Sequence, residues 1–314
     1  MLSKLEKRAE RTHWGLFLRK DWSRNKLLYA MMLPALAYYL VFQYGPMYGA
    51  VIAFKDYSPA EGILGSPWAG LSHFKDFFEG FYFERVFTNT VLISVYTLLF
   101  EFPAPIVLAL LINEVRSRAF RGFVQSVTYM PYFVSLIVIC GIVKDFTNSG
   151  GIIQQIVASL GGADTALLQN PDYFRPVYVA SEIWQRIGWE SIIYIAALSS
   201  IDTEQYEAAR IDGAGRWRQM RSVTLPGLLP TIMIMFILRM GNLLNVGFEK
   251  IILLYNSSIY ETADVISSYV YRKGLIEFDW SFSAAVGLFN SVINLALLVL
   301  ANYLSRRVNQ NSLW

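Results

Sequence analysis

The chain has one cysteine, Cys140, and two histidines, His13 and His73, among its 314 residues. A single thiol closes no internal disulfide and builds no thiolate cluster. Two histidines far apart in sequence supply no histidine-rich metal site. Charge is also scarce: 16% of the residues are Asp, Glu, Lys or Arg, against about 25% in an average soluble domain. No Gly-x-x-x-x-Gly-Lys-Ser/Thr run occurs, so the chain lacks the Walker loop that cradles nucleotide phosphates. No nucleophile stands beside a base in a context that suggests covalent chemistry. These absences argue against a disulfide scaffold, a zinc domain, a P-loop ATPase and an enzyme.

What the chain has in abundance is apolar residues, 54% of the total. A bilayer core of ~30 Å needs about 20 mostly apolar helical residues, and six stretches meet that length. Leu27–Phe54, Gly122–Val143 and Trp280–Ser305 carry no charge. Val86–Asn113 carries only Glu101, and Ser222–Phe248 only Arg239. Pro176–Ile201 carries Glu182, Arg186 and Glu190. The expected fold is an all-α membrane protein with six transmembrane helices over residues 27–305, a cytoplasmic tail at 1–26 and another at 306–314.

Loop charge sets the expected orientation. Residues 1–26 hold eight Lys and Arg without a long apolar core, unlike a cleavable signal. With both termini inside, the inside segments 1–26, 114–121, 202–221 and 306–314 hold 17 Lys and Arg against 8 Asp and Glu. The outside segments hold 8 Lys and Arg against 13 Asp and Glu. This asymmetry obeys the positive-inside rule. In the loop at 147–175, glycine breaks bracket a short helix over Ile152–Leu160.

The inside segment at 202–226 is the most informative. Asp202 and Thr203 can cap a short helix, with Glu204 and Glu207 near its positive end. Gly213 can end it in a left-handed turn, a second short helix follows, and Pro226 suits the first turn of the next span. Glu207-Ala208-Ala209, then Gly213, then Leu225-Pro226 resemble the EAA loop of bacterial ABC importer permeases. Trp184-Gln185, Ala196-Ala197-Leu198 and Lys26-Leu27-Leu28-Tyr29 before Pro34 look like carbohydrate permeases of the maltose-importer type. The segments from Gly247-Phe248-Glu249 to Asp264-Val265-Ile266, and Tyr269-Val270-Tyr271-Arg272, look like the LplB branch of that family.

The resemblance implies a type I importer permease with the MetI-like fold, in a bacterial cytoplasmic membrane. It implies a second homologous permease, two copies of a cytoplasmic ATPase and an extracellular or periplasmic solute-binding protein. The substrate would be a saccharide, from an oligosaccharide to a polysaccharide fragment. ATP and Mg would sit on the ATPase, this chain holding no cofactor or metal. Glu207, Ala208, Ala209, Asp212 and Gly213 would couple to the ATPase. Membrane lipid surrounds such a subunit, and no nucleic-acid partner is expected.

Polar residues inside a span usually face a protein interior or a water-filled path. Glu182, Gln185, Arg186 and Trp189 share one helical face. Arg239, Asn242 and Asn245 follow similar spacing in the fifth stretch, and Asn290 and Asn294 lie four apart in the sixth. One reading is a central cavity that binds sugar, with rings on pyranose faces and amides on hydroxyls. The family resemblance adds that substrate contacts fall near Gln185, Trp189 and Asn242. The other reading is an ion pair between Glu182 and Arg186, with asparagines that bond neighbouring helices. A rival function is an ion-coupled secondary transporter with Glu101, Glu182 and Glu190 as relay groups.

Overall fold

The long apolar stretches fold as helices, because backbone in hydrocarbon must satisfy its own N–H and C=O groups. The structure is a computed structural model and describes residues 21–309 apart from Ser23. The expected tails at 1–26 and 306–314 lie largely outside the described residues. In chain order the main helices are α1 (Arg24–Phe54), α2 (Phe83–Glu114), α3 (Arg118–Tyr129), α4 (Leu136–Thr147), α5 (Ile152–Ser159), α6 (Pro171–Ser199), α7 (Thr203–Ile211), α8 (Arg216–Met240), α9 (Phe248–Leu254) and α10 (Trp280–Asn309). Among the described residues there is no strand beyond an isolated bridge between Lys55 and Trp68.

Among the described residues, five segments are long and apolar enough to cross a membrane: α1, α2, α8, α10 and the stretch Leu136–Ser159 that joins α4 to α5. α6 is the expected fourth span. It has 29 residues, about 43 Å at the α-helical rise, but its charged residues make it less apolar than the others. It begins earlier than expected because the Asn170 side chain accepts a hydrogen bond from the Asp172 amide at 3.0 Å and caps it.

Two expected spans are differently bounded. Gly122–Val143 is not one helix: α3 stops at Tyr129, a tight 3₁₀ turn covers Met130–Phe133, Val134 is extended, and α4 starts at Leu136. Pro131 has no N–H to continue the ladder, so the chain turns there. The fifth stretch begins earlier and ends earlier than expected, because the second short helix of the inside segment, Arg216–Gln219, is continuous with the span as the first turn of α8, which stops at Met240. Asn242 and Asn245 therefore lie in the turn after α8, not on its face.

Three of the prolines inside these helices are accommodated in the same way. In α1, α2 and α8 a single widened π-turn directly precedes a proline. Gly45 N–H bonds the Leu40 carbonyl before Pro46, Phe102 that of Thr97 before Pro103, and Leu225 that of Met220 before Pro226. The five-residue step removes the clash that a proline ring makes with the carbonyl four residues back.

α6 is the central helix. Near one end Tyr194 and Leu198 pack with Ala109 of α2 and Leu228 of α8. Near the other, Phe174, Tyr178 and Val179 pack with Ile93, Cys140, Ile251 and Leu254. At Gly188 the helix meets the end of α3 so closely that a Cβ would stand 2.1 Å from the Thr128 carbonyl oxygen. At the far end of α2, Asp264 is fully buried. Arg272 grips it with two hydrogen bonds, and Arg85 adds a third at 2.8 Å. By contrast, none of the apolar stretch of α1 is buried; its final 3₁₀ segment, Tyr48–Phe54, packs on α10, with Ala53 buried.

Candidate functional site

α2, α6 and the turn after α8 line a partly open cavity of about 540 Å³, and α9 forms one side of it. Its wall is polar. Glu182, Gln185 and Arg186 come from α6, Glu101 and Thr97 from α2, Arg239 from α8, Asn242 and Asn245 from the following turn, and Glu249 and Lys250 from α9. The period of α6 puts Glu182, Gln185 and Arg186 on one face. Glu101 sits in the π-turn before Pro103, which shows that the widened turn also sets the direction of a buried carboxylate.

The charges compensate one another. Arg239 bonds Glu101 at 2.5 Å, joining α8 to α2. Arg186 Nε lies 2.9 Å from one oxygen of Glu182, and Lys250 Nζ lies 2.7 Å from the other. Glu190 stands 3.8 Å from Arg186. Lys250 also donates to the Gln185 side chain at 3.4 Å and lies over the Tyr178 ring. In a low-dielectric interior such pairing offsets the desolvation that isolated charges would suffer. Each of Glu101, Glu182 and Glu190 thus has a fixed cation beside it.

The amides form a second layer. Asn290 and Asn294 of α10 do not line the cavity; they donate to the Asn245 side-chain oxygen at 2.8 and 3.1 Å. Asn245 donates in turn to Asn242 at 3.3 Å, and the Asn294 oxygen accepts the Leu244 amide. Trp189 is also off the wall. Its ring stacks on Tyr132 with centroids 4.8 Å apart, and Tyr132 itself faces the cavity. Lys250, Glu249 and Tyr178 were not visible in the sequence as wall residues. Lys250 looks like an ordinary charge at the start of the apolar run Ile251–Leu254, and only the folding-back of α9 brings it to α6. A lysine just ahead of so apolar a run was the one available signal.

The segment at 202–226 forms a second, exposed site. Asp202 caps α7 by accepting the Glu204 amide at 3.0 Å. At the other end Gly213 adopts φ +75°. Gly213 N–H bonds Arg210 O and Ala214 N–H bonds Ala209 O, the paired bonds of a Schellman cap. The cap turns the chain back into α8, and Gln219 clasps the Ala214 carbonyl at 2.7 Å. Tyr206 reaches Thr224 at 3.1 Å, fixing α7 against the base of α8. Glu207, Ala208, Asp212 and Gly213 are exposed and Ala209 is half-buried. Ile211 and Trp217 beside them are 87% and 75% exposed. Large apolar side chains bared next to polar ones mark a surface built to be covered.

Residues 101–310 match the family described as binding-protein-dependent transport system inner membrane component. The chain belongs to this family. The match takes in the wall from Glu101 onward, α6, the 202–226 segment and α10. Protein LplB of Bacillus subtilis (strain 168) is 44% identical over 292 residues, covering 93% of this chain and 92% of LplB. The polygalacturonan/rhamnogalacturonan transport system permease protein YteP of the same organism is 42% identical over 292 residues, 93% of this chain and 91% of YteP. A chain in the crystal structure of a bacterial alginate ABC transporter, in complex with an alginate pentasaccharide-bound periplasmic protein, is 42% identical. It superposes with a TM-score of 0.85, covering 94% of this chain and 99% of that one. This permease is therefore a multi-pass membrane protein and a transport subunit, not an enzyme. The ion-coupled alternative is not favoured by any of these relatives.

Proposed function

We propose that this permease is one transmembrane subunit of an ATP-driven importer that passes a saccharide, an oligosaccharide or polysaccharide fragment, through the cavity by alternating access. The observation that carries the reading is the continuity of α6. The helix supplies Glu182, Gln185 and Arg186 to the cavity wall and then runs to Ser199, from which a short turn leads into α7. A push on α7 is transmitted along one rigid element to the wall that holds substrate.

ATP and Mg bind two copies of a separate cytoplasmic ATPase. Glu207, Ala208, Ala209, Asp212 and Gly213 dock in it, and Ile211 and Trp217 supply apolar anchors, the kind of contact that dominates a docking surface. A second, homologous permease covers the apolar length of α1, which none of the described residues buries, and contributes the facing wall of the path. A solute-binding protein, extracellular or periplasmic, delivers substrate. The subunit crosses the bacterial cytoplasmic membrane six times over residues 27–305, with α6 as one crossing and both tails inside, in keeping with the loop charges. Membrane lipid bathes its outer faces.

Within the cavity Gln185, Asn242 and Asn245 offer amides to sugar hydroxyls, and Tyr132, held by its stack on Trp189, offers a ring face. Asn290 and Asn294 act behind them by fixing the Asn245 amide. Glu182, Arg186 and Arg239 bond hydroxyls or carboxylates while remaining paired. A saccharide substrate also accords with the polygalacturonan/rhamnogalacturonan and alginate systems of the relatives. The test is uptake of labelled oligosaccharides, neutral and uronate, by proteoliposomes holding the complete complex with its binding protein. ATP-dependent accumulation of one saccharide class is the expected result. Accumulation driven by an ion gradient without ATP would overturn the reading.

A further inference from the structure

α9 is a short helix between two irregular segments, and two features hold it in place. Its apolar side, Ile251 and Leu254, is buried among Cys140, Tyr178 and Val265. Its polar side carries Lys250, 2% exposed, with Nζ 2.7 Å from Glu182 of α6. Glu182 is the one ion-pair partner that Lys250 has among the described residues. Glu182, however, has a second cation, Arg186, on its other oxygen and on its own helix.

That asymmetry has a physical consequence. If α9 moves away from α6, Glu182 remains compensated by Arg186, and Lys250 alone loses its counter-ion. A buried ammonium without a partner is strongly disfavoured in a dry interior, but it is readily hydrated where water enters. The pair therefore holds firmly while the cavity is closed and parts at little loss once that side of the cavity is wet. We propose that the Lys250–Glu182 ion pair is a latch that keeps α9 shut against α6, and that its parting accompanies opening of the cavity on the α9 side. Lys250 is then a positioning residue, not a substrate contact. The proposal rests on the importer reading, because it assigns the latch to the alternating-access cycle. It adds that the resting state is biased closed by one side-chain pair linking the outer segment to the helix that leads to α7.

The chain carries its own reporter. Cys140, its one cysteine, is buried in the cluster that Ile251 and Leu254 cover, so movement of α9 uncovers it. The experiment uses the full complex in nanodiscs, with wild type, the doubly neutral variant Glu182→Gln/Lys250→Met, and Lys250→Arg. The double variant removes both charges of the pair and leaves Arg186, which is partly exposed, with Glu190 as its partner. Two quantities are read: the rate at which a small maleimide modifies Cys140, and ATP hydrolysis without substrate. In the double variant both should rise about ten-fold, as expected when a bias of ~1.4 kcal/mol toward the closed state is removed. Lys250→Arg keeps the pair and should stay near wild type. If the assembled double variant labels and hydrolyses at wild-type rates, or if Lys250→Arg behaves like the double variant, the latch is refuted. Failure of the importer reading is seen separately: the wild-type complex would then show no substrate-stimulated hydrolysis, while the Cys140 labelling comparison would still decide the latch.

Discussion

Asn245 sits at the junction between a layer of bonded amides and the cavity wall. Its side-chain oxygen is held by Asn290 and Asn294, and its amide N–H points to Asn242. An amide so fixed presents a hydrogen-bond pattern that a sugar need not organise on arrival. Trp189 acts in the same way through its stack on Tyr132. Replacing Asn242 by Ala should lower uptake at subsaturating substrate by roughly ten-fold, the effect of losing ~1–2 kcal/mol of hydrogen bonding. Trp189→Ala should weaken uptake comparably by releasing Tyr132. Both complexes should assemble, as judged by co-purification. Normal uptake by both would remove these side chains from the binding surface, and loss of assembly would assign them to helix packing. The residues of α6 were legible because helical period 3.6 holds from Pro171 to Ser199, so Glu182, Gln185 and Arg186 must share a face. Asn242 and Asn245 reached the cavity by a route that periodicity does not describe, since α8 ends at Met240. The partners Lys250–Glu182 and Arg239–Glu101 join residues far apart in sequence, and no local pattern encodes such pairs.

At the level of elements, α1, α2, α8 and α10 were legible from length and hydropathy alone, because hydrocarbon leaves a chain few options besides helix, whereas the apolar stretch Leu136–Ser159 starts and ends C-terminal to the bounds of the expected Gly122–Val143. What the sequence did not disclose is where helices give way. Pro131 breaks the third stretch, whereas Pro46, Pro103 and Pro226 lie in continuous helices behind π-turns. The difference depends on whether the surrounding packing supports a widened turn, which is a tertiary property. The cap of α7 was readable to the residue: Asp202 at one end and Gly213 at the other are demanded by unsatisfied helix-end groups and by a positive φ. The direction in which these elements cross the membrane follows from loop charge and can be measured. Cysteines at Ser58, between α1 and α2, and at Ser257, between α9 and α10, should react with a membrane-impermeant thiol reagent added outside intact cells. A cysteine at Ser222, near the start of α8, should not. Labelling at position 222 from outside would contradict the proposed orientation.

For the whole molecule, α6 links the cavity wall to the exposed α7 segment, and in the proposed importer it serves as the lever between them. α6 is gripped along its length, by α2 and α8 at one end and by α4 and α9 at the other, with the Gly188 contact to α3 between them. A helix so gripped moves as a unit with its neighbours, so displacement of α7 reaches the wall instead of dissipating in a flexible joint. In the proposed importer the exposed length of α1 is the face on which the second permease packs. The central claim is that the capped α7 segment couples ATP hydrolysis to the cavity. The most direct measurement is hydrolysis by the reconstituted complex, stimulated by substrate-loaded binding protein, in Gly213→Asp and Glu207→Lys variants. Gly213→Asp puts a side chain at φ +75° and a negative charge at the negative end of α7, and Glu207→Lys reverses a charge on its exposed face. The account predicts that both variants insert in the membrane but lose stimulated hydrolysis or release the ATPase. Full stimulated hydrolysis and full uptake in both would reduce the segment to a passive connector and contradict the account.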